Sequence, residues 1–161
     1  MKPPLTLAVL ALAFIMPARA AEEGHGPHAP GAKETYASGL GEIMSLQQMR
    51  HLKLWLAGAA KNWPLADYEL DELKEGFDDV VKFFPTKDDL PIGQMAGATA
   101  VPVLPDLKAA IDARDSKKFA AAFDKLTAAC NTCHQSAKHE FIVIQRPTSS
   151  PYSNQSFAPK K

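Results

Sequence analysis

The sequence has few cysteines, no excess of either charge and no long apolar run after its first twenty residues. Its only two cysteines lie at positions 130 and 133, too close together to form the disulfide framework that holds small secreted domains together. Lysine plus arginine and aspartate plus glutamate number 18 each, which excludes the strongly basic surface typical of nucleic-acid binding. We therefore expect no nucleic-acid partner and no stable membrane span.

The first twenty residues predict a secretory signal. Lys2 gives a positive start, residues 5–16 are almost wholly apolar, and Ala-Arg-Ala at residues 18–20 offers a small-x-small cleavage site. The apolar run is too short to cross a bilayer comfortably and Pro17 ends it, so cleavage is favoured over anchoring. We expect the mature protein to lie in the periplasm of a Gram-negative bacterium.

Composition divides the rest of the chain into three parts. Residues 21–35 are rich in Gly, Pro and His and predict a flexible lead-in, in which His25 and His28 are expected to be solvated rather than metal-bound. Residues 36–146 predict one helical domain. Residues 147–161 form a polar tail that we expect to be disordered.

Apolar residues recur at three- and four-residue steps within the domain and predict an all-α fold, a four-helix bundle. The predicted helices are 36–62, 65–84, a short one at 104–111, and a last one that begins at Asp115 or Ser116, runs toward Phe141 and is closed by Pro147. The proline-rich connection 85–105 is functional, mobile, or hides a short helix over 92–98.

The most informative feature is the sequence CNTCH at residues 130–134. Two thiols at this spacing can add to the two vinyl groups of one haem, and the imidazole that follows can bind the iron. On a helix, Cys130, Cys133 and His134 project from one side. In an exported chain the motif predicts one covalently bound haem c on the last helix.

A haem-attachment motif on the last helix of an exported helical bundle resembles the class II cytochromes c, the group that contains cytochrome c′. The resemblance covers residues 38–146, and residues 40–51, LGEIMSLQQMRH, look like the first helix of these bundles. It implies that Cys130 and Cys133 attach the haem and that His134 is the proximal iron ligand. It also implies that the sixth coordination position faces the first helix and that two copies pair through that helix.

The residue at the sixth position decides between two functions. At about 100° per residue, Met44 and His51 share one face of the first helix, whereas Met49 points about 140° away from Met44. We expect Met44 as the distal iron ligand, with His51 as the alternative ligand or a contact at the haem edge. Met49, Met95 and an open position stay as further alternatives.

We expect a haem-binding one-electron carrier that exchanges electrons with periplasmic redox proteins and is not an enzyme. An open sixth position would instead indicate a five-coordinate protein that binds nitric oxide or carbon monoxide. A third class keeps the cysteines free of haem, as a dithiol redox protein or a zinc site. This class is disfavoured because the chain lacks a βαβ context and a further zinc ligand at suitable spacing.

Overall fold

The structure, a computed structural model, describes residues 38–160. The predicted signal, the lead-in with His25 and His28, and Lys161 lie outside the described residues. Within 38–160 the regular structure is helical, with one isolated bridge between Lys87 and Leu90, so the all-α prediction is confirmed there. The α-helices are α1 (Leu40–Ala59), α2 (Trp63–Phe83), α3 (Ile92–Thr99), α4 (Leu104–Asp112) and α5 (Ser116–Ser136).

Helices α1 and α2 form an antiparallel pair joined by a short turn. Lys61 in this turn has a left-handed backbone (φ 60°), and Asn62 caps α2 by accepting a hydrogen bond from the Leu65 amide at 3.4 Å. Pro64 suits the first turn of α2, and Pro85 follows its end. The predicted α2 agrees with the structure to within two residues at each end, whereas α1, predicted over 36–62, begins at Leu40 and ends at Ala59 and is shorter at both ends.

The proline-rich connection contains a helix, α3, followed by a 3-10 turn over Val101–Val103. The alternative of a hidden short helix is therefore confirmed, and the described part of the chain has five α-helices where the sequence predicts four. The Gly93 amide donates to the Phe84 carbonyl at 2.9 Å. A Cβ on Gly93 would lie 3.0 Å from the Val81 carbonyl oxygen, so glycine allows α3 to approach the end of α2 closely.

Helix α5 ends at Ser136, so the prediction that it runs toward Phe141 is wrong. The end is a Schellman motif: the His139 amide donates to the His134 carbonyl at 2.7 Å and the Lys138 amide donates to the Gln135 carbonyl at 3.2 Å. Lys138 takes the left-handed conformation (φ 60°) that glycine usually supplies. Because a lysine stands there, the sequence carries no stop signal at this point.

The two largest fully buried side chains, Phe119 and Phe123, lie in the first half of α5, next to Trp55 of α1. The Phe119 and Phe123 rings are fully buried, 6.1 Å apart, and the Trp55 ring lies 5.0 Å from that of Phe123. The Trp63 ring meets Phe119 edge-on at 6.0 Å. We call these four residues the aromatic cluster. Burial of each large apolar side chain contributes roughly 1.5–3 kcal/mol, so this cluster is a main source of stability.

Residues 147–160 contain neither helix nor strand, and they lie against α1 and against the turn that joins α1 to α2. The Phe157 ring packs against the core, and the Asn62 side-chain amide donates to the Ala158 carbonyl at 3.4 Å. The Lys53 ammonium lies 5.2 Å from the centre of the Tyr152 ring. Among the helices of residues 38–160, none has the length and apolar character needed to cross a bilayer.

Candidate functional site

A cleft opens between α1, α2, α3 and the second half of α5. About 600 Å³ of space in it is free of protein atoms, including the part at its mouth that is open to solvent. Apolar side chains from α2 and α3, among them Phe77, Ile92 and Ala96, form much of the wall. The cleft is therefore a largely apolar slot with one open side, and α3 from the proline-rich connection is one of its walls.

Helix α5 presents the CNTCH motif to this cleft. Cys130, Cys133 and His134 all line it, as expected for residues at i, i+3 and i+4 of one helix. Burial, and then the neighbouring Cys133, raise the pKa of the Cys130 thiol to about 12. Burial also raises the pKa of Cys133, against a hydrogen bond with the Thr99 hydroxyl that lowers it. Both thiols are therefore protonated at neutral pH, which is unlike the activated thiolate of a dithiol redox protein.

The His134 ring is held in one orientation by a backbone carbonyl. Its Nδ1 lies 2.8 Å from the Ile142 oxygen. A carbonyl oxygen only accepts, so Nδ1 carries the proton and Nε2 is left as a bare acceptor. Histidines that bind metals usually donate their second N–H to such a partner, which fixes the tautomer and raises the basicity of the ligating nitrogen.

That carbonyl belongs to residues 139–146, which turn back along α5 and which we call the return segment. The Asn131 side chain bonds to both backbone groups of Ile144, and the Arg146 guanidinium donates from Nε to Asp124 at 3.0 Å. Arg146 also lies 4.3 Å from the centre of the Trp55 ring. The Ile144 side chain lines the cleft. The return segment thus covers part of α5 and supplies one wall of the slot, a feature that the sequence did not reveal.

Helix α1 supplies a further wall of the cleft. Met44 and His51 both line the cleft, as their shared helical face predicts, and Gln48 lies between them. Met49 and Met95 are outside the lining; Met95 packs instead against the core from α3. The structure therefore brings Met44 and His51 to the same cleft as the CNTCH motif, and it separates Met49 and Met95 from it.

His51 is buried, with 4% of its surface exposed. The Thr127 hydroxyl donates to the Phe123 carbonyl at 3.0 Å, so its oxygen accepts from Nε2 of His51 at 2.9 Å. The His51 ring also lies 4.3 Å from the centre of the Phe123 ring. Burial lowers the pKa of His51 from 6.5 to about 4. His51 is therefore neutral at physiological pH, with its Nε2 already engaged.

A polar network beside the cleft joins α1 to α2. The buried Gln47 donates from Nε2 to the Leu73 carbonyl at 2.7 Å and accepts from Arg50 Nη1 at 3.1 Å. Arg50 also forms an ion pair with Glu72 at 2.9 Å. A Cβ on Gly76 would lie 2.7 Å from Cδ of Gln47, so this glycine leaves room for the amide. The one sequence signal for this network is a glutamine on the buried stripe of α1.

The residues present fit a covalently bound haem. Two protonated thiols and an imidazole of the right tautomer face one apolar slot with an open side, and no charged side chain is among the residues that line it. Residues 38–160 hold no group of three or more His, Cys, Asp or Glu arranged to bind a metal ion by themselves.

The chain matches no protein-family model, no curated protein and no solved structure.

Proposed function

We propose that this protein is an exported c-type cytochrome that acts in the periplasm as a one-electron carrier. In this proposal Cys130 and Cys133 bind one haem c through thioethers, and His134 is the proximal iron ligand. The haem supplies an iron centre that cycles between Fe(II) and Fe(III). The observation that carries the proposal is the CNTCH motif on the wall of an apolar cleft, with His134 held in the ligating tautomer by the Ile142 carbonyl.

The proposal is supported by what the surrounding residues do. An apolar wall limits access of water, which is one of the features that sets the potential of a haem site. The Gln47 network joins the two walls that α1 and α2 form, and His51 on α1 contacts Phe123 of the aromatic cluster, so little structural rearrangement is expected when the charge at the site changes. The described residues thus favour a rigid site, as an electron carrier requires.

Among the distal candidates the geometry favours Met44. His51 could bind through Nε2 only after losing its hydrogen bond with Thr127 and its tilted ring contact with Phe123. Met44 is half-buried, lines the cleft and has a flexible thioether that can adapt to its surroundings. We therefore propose Met44 as the sixth ligand and His51 as a neutral residue at the haem edge.

The test of haem attachment is the mass of the full chain produced in a bacterium with an active haem-attachment pathway. The mature protein should gain the mass of one haem, and Cys130→Ser together with Cys133→Ser should abolish the gain. Thr132→Ser is the matched control, since its exposed hydroxyl only bonds within α5, to the Ala128 carbonyl at 3.0 Å. A wild-type chain that matures without added mass would refute the proposal.

The distal ligand is tested by the visible spectrum of the ferric protein. Met44→Ala should remove the charge-transfer absorption of methionine–iron bonding and convert the iron to high spin, whereas Met49→Ala should leave the spectrum unchanged. If the wild type is already high-spin and takes up nitric oxide readily, the iron is open. In that case the protein is a gas-binding cytochrome rather than an electron carrier.

We also propose that two copies associate through α1. Leu46 is 40% exposed, and Met49 and Leu56 are half-buried at positions three and ten residues further along the same face. A dimer would cover these apolar side chains. Sedimentation at high concentration should show a dimer that Leu46→Lys shifts to monomer; a wild type that stays monomeric would rule out this association.

A further inference from the structure

The two variable residues of the CNTCH motif, Asn131 and Thr132, make different contacts. Asn131 donates from Nδ2 to the Ile144 carbonyl at 2.8 Å and accepts from the Ile144 amide through Oδ1 at 2.8 Å. Thr132 is exposed, and its hydroxyl bonds only to its own helix. One side chain of the motif therefore satisfies both backbone groups of a residue in the return segment, whereas the hydroxyl of its neighbour bonds within α5.

The Asn131 contact lies close to the carbonyl that holds His134. Ile142, whose oxygen accepts from His134 Nδ1, is two residues before Ile144. On its other side the Ile142 amide donates to the His139 carbonyl at 2.9 Å, and His139 closes the Schellman motif of α5. The Ile142 carbonyl is thus held between two anchors, a turn before it and the Asn131 contact after it.

An extended segment without a partner strand has no ladder to fix its position. If Asn131 were absent, the segment would keep the turn at His139 and the contacts of Arg146 with Asp124 and Trp55. Between these two ends, residues 140–145 would lose the paired hydrogen bonds at Ile144. The Ile142 carbonyl would then be free to move away from the His134 ring.

We propose that Asn131 is a positioning residue for the proximal histidine. By fixing the return segment, it keeps the Ile142 carbonyl on Nδ1 of His134 and so maintains the orientation and basicity of the ring. This inference rests on the proposed haem function and concerns the tuning of that same site. A more basic proximal ligand favours the ferric over the ferrous state, so loss of the Asn131 contact should raise the reduction potential.

The experiment compares Asn131→Ala with Thr132→Ala in the haem-loaded full chain. Asn131→Ala should weaken the preference for the ferric state by up to about tenfold, which corresponds to a rise of about 59 mV for one electron. It should also accelerate hydrogen exchange of the Ile144 amide. Thr132→Ala should change neither quantity. Arg146→Lys keeps the charge but loses the planar guanidinium contacts, so it should move both quantities in the same direction by less.

Each outcome decides the proposal. Faster exchange and a raised potential with Asn131→Ala, but not with Thr132→Ala, would support it. Faster exchange with an unchanged potential would show that Asn131 holds the segment but does not position His134, and an unchanged exchange rate would refute the contact itself. If Asn131→Ala fails to mature, Arg146→Lys decides by the same two readouts. A wild type without haem would instead refute the proposed function, and this inference with it.

Discussion

The two halves of α5 show how differently one helix can be used. In its first half, Phe119, Phe123 and Leu126 are at most 1% exposed and form part of a closed core with Trp55. In its second half, the residues at equivalent positions, Cys130, Cys133 and His134, are only partly buried and face a cleft. The change from aromatic to small and polar side chains along one face thus divides the molecule into a packed end and an open end.

Helix α1 shows the same division. At the packed end Leu54, Ala57 and Gly58 are buried in close contact with their neighbours, and a Cβ on Gly58 would overlap the Phe119 ring. Toward the open end, Met44 and Gln48 face the cleft. His51 lies at the boundary, where its ring contacts that of Phe123 and also lines the cleft.

The comparison separates what stabilises the domain from what is available for binding. Interiors are packed to nearly crystalline density, and each missing methylene in such a region costs stability. The side chains that line a cleft lack part of these packing contacts, so the rest of the domain must supply the stability. In this domain the packed end supplies most of the stability. The open end contributes less to folding and can therefore hold a large bound group.

The strongest test of this division is Phe123→Ala at the packed end. Removing a fully buried ring that contacts His51 and Trp55 should lower the free energy of unfolding by about 3–5 kcal/mol. Urea unfolding of the full chain measures the effect. Phe83→Ala is the matched control, because that ring is 59% exposed and its loss should cost no more than about 0.5 kcal/mol. Similar losses for the two variants would contradict the division.

The boundary residue His51 predicts a dependence of stability on pH. Its pKa is about 4 in the folded state, below the ordinary 6.5, so between these values the unfolded chain takes up a proton that the folded chain does not. Protonation of His51 in the unfolded chain therefore lowers the free energy of unfolding. This loss is absent above pH 6.5 and grows as the pH falls toward 4, where it reaches about 3 kcal/mol.

Unfolding measured at pH 7 and at pH 4 tests this effect. The wild type should lose about 3 kcal/mol more than His51→Gln over that interval, since glutamine cannot take up the proton. Other groups titrate alike in both proteins and cancel in the difference. Equal losses in the two proteins would show that His51 is not protected from protonation in the folded state.

The sequence was sufficient to predict helix bounds and helix faces where the local pattern and the tertiary packing agree. Helix α2 has regular apolar spacing, with prolines just inside its start and just after its end, and its bounds follow almost directly. The common face of Cys130, Cys133 and His134 and the shared face of Met44 and His51 follow from helical geometry alone. The side chains that α1 and α5 turn toward the cleft could thus be predicted without knowing how the helices pack.

The sequence was insufficient where contacts distant along the chain decide the structure. Four prolines between residues 85 and 105 conceal α3, which is stabilised by its contact with the end of α2 at Gly93. Helix α5 ends with Lys138 in the left-handed conformation, which a lysine in the sequence does not predict. The return segment has no periodic pattern, and its position depends on single side chains such as Asn131 and Arg146.

Helix α1 contains a glycine near each end, so the same glycine-to-alanine substitution can compare the packed end with the open end within one helix. The expected changes in stability are smaller than those above. Gly58 faces Phe119 at the packed end, and a Cβ there would also lie 2.7 Å from Cδ1 of that ring, so Gly58→Ala should cost about 1–3 kcal/mol by overpacking. Gly41, near the other end, has nothing within 4 Å of such a Cβ. There the alanine only reduces the freedom of the unfolded chain, and Gly41→Ala should stabilise by about 0.5–1 kcal/mol. Thermal unfolding of the two variants should therefore shift in opposite directions, since the same substitution meets a filled core at one site and open space at the other. If both variants were stabilised, Phe119 would be able to move aside, and the packed end would be less rigid than its buried rings imply.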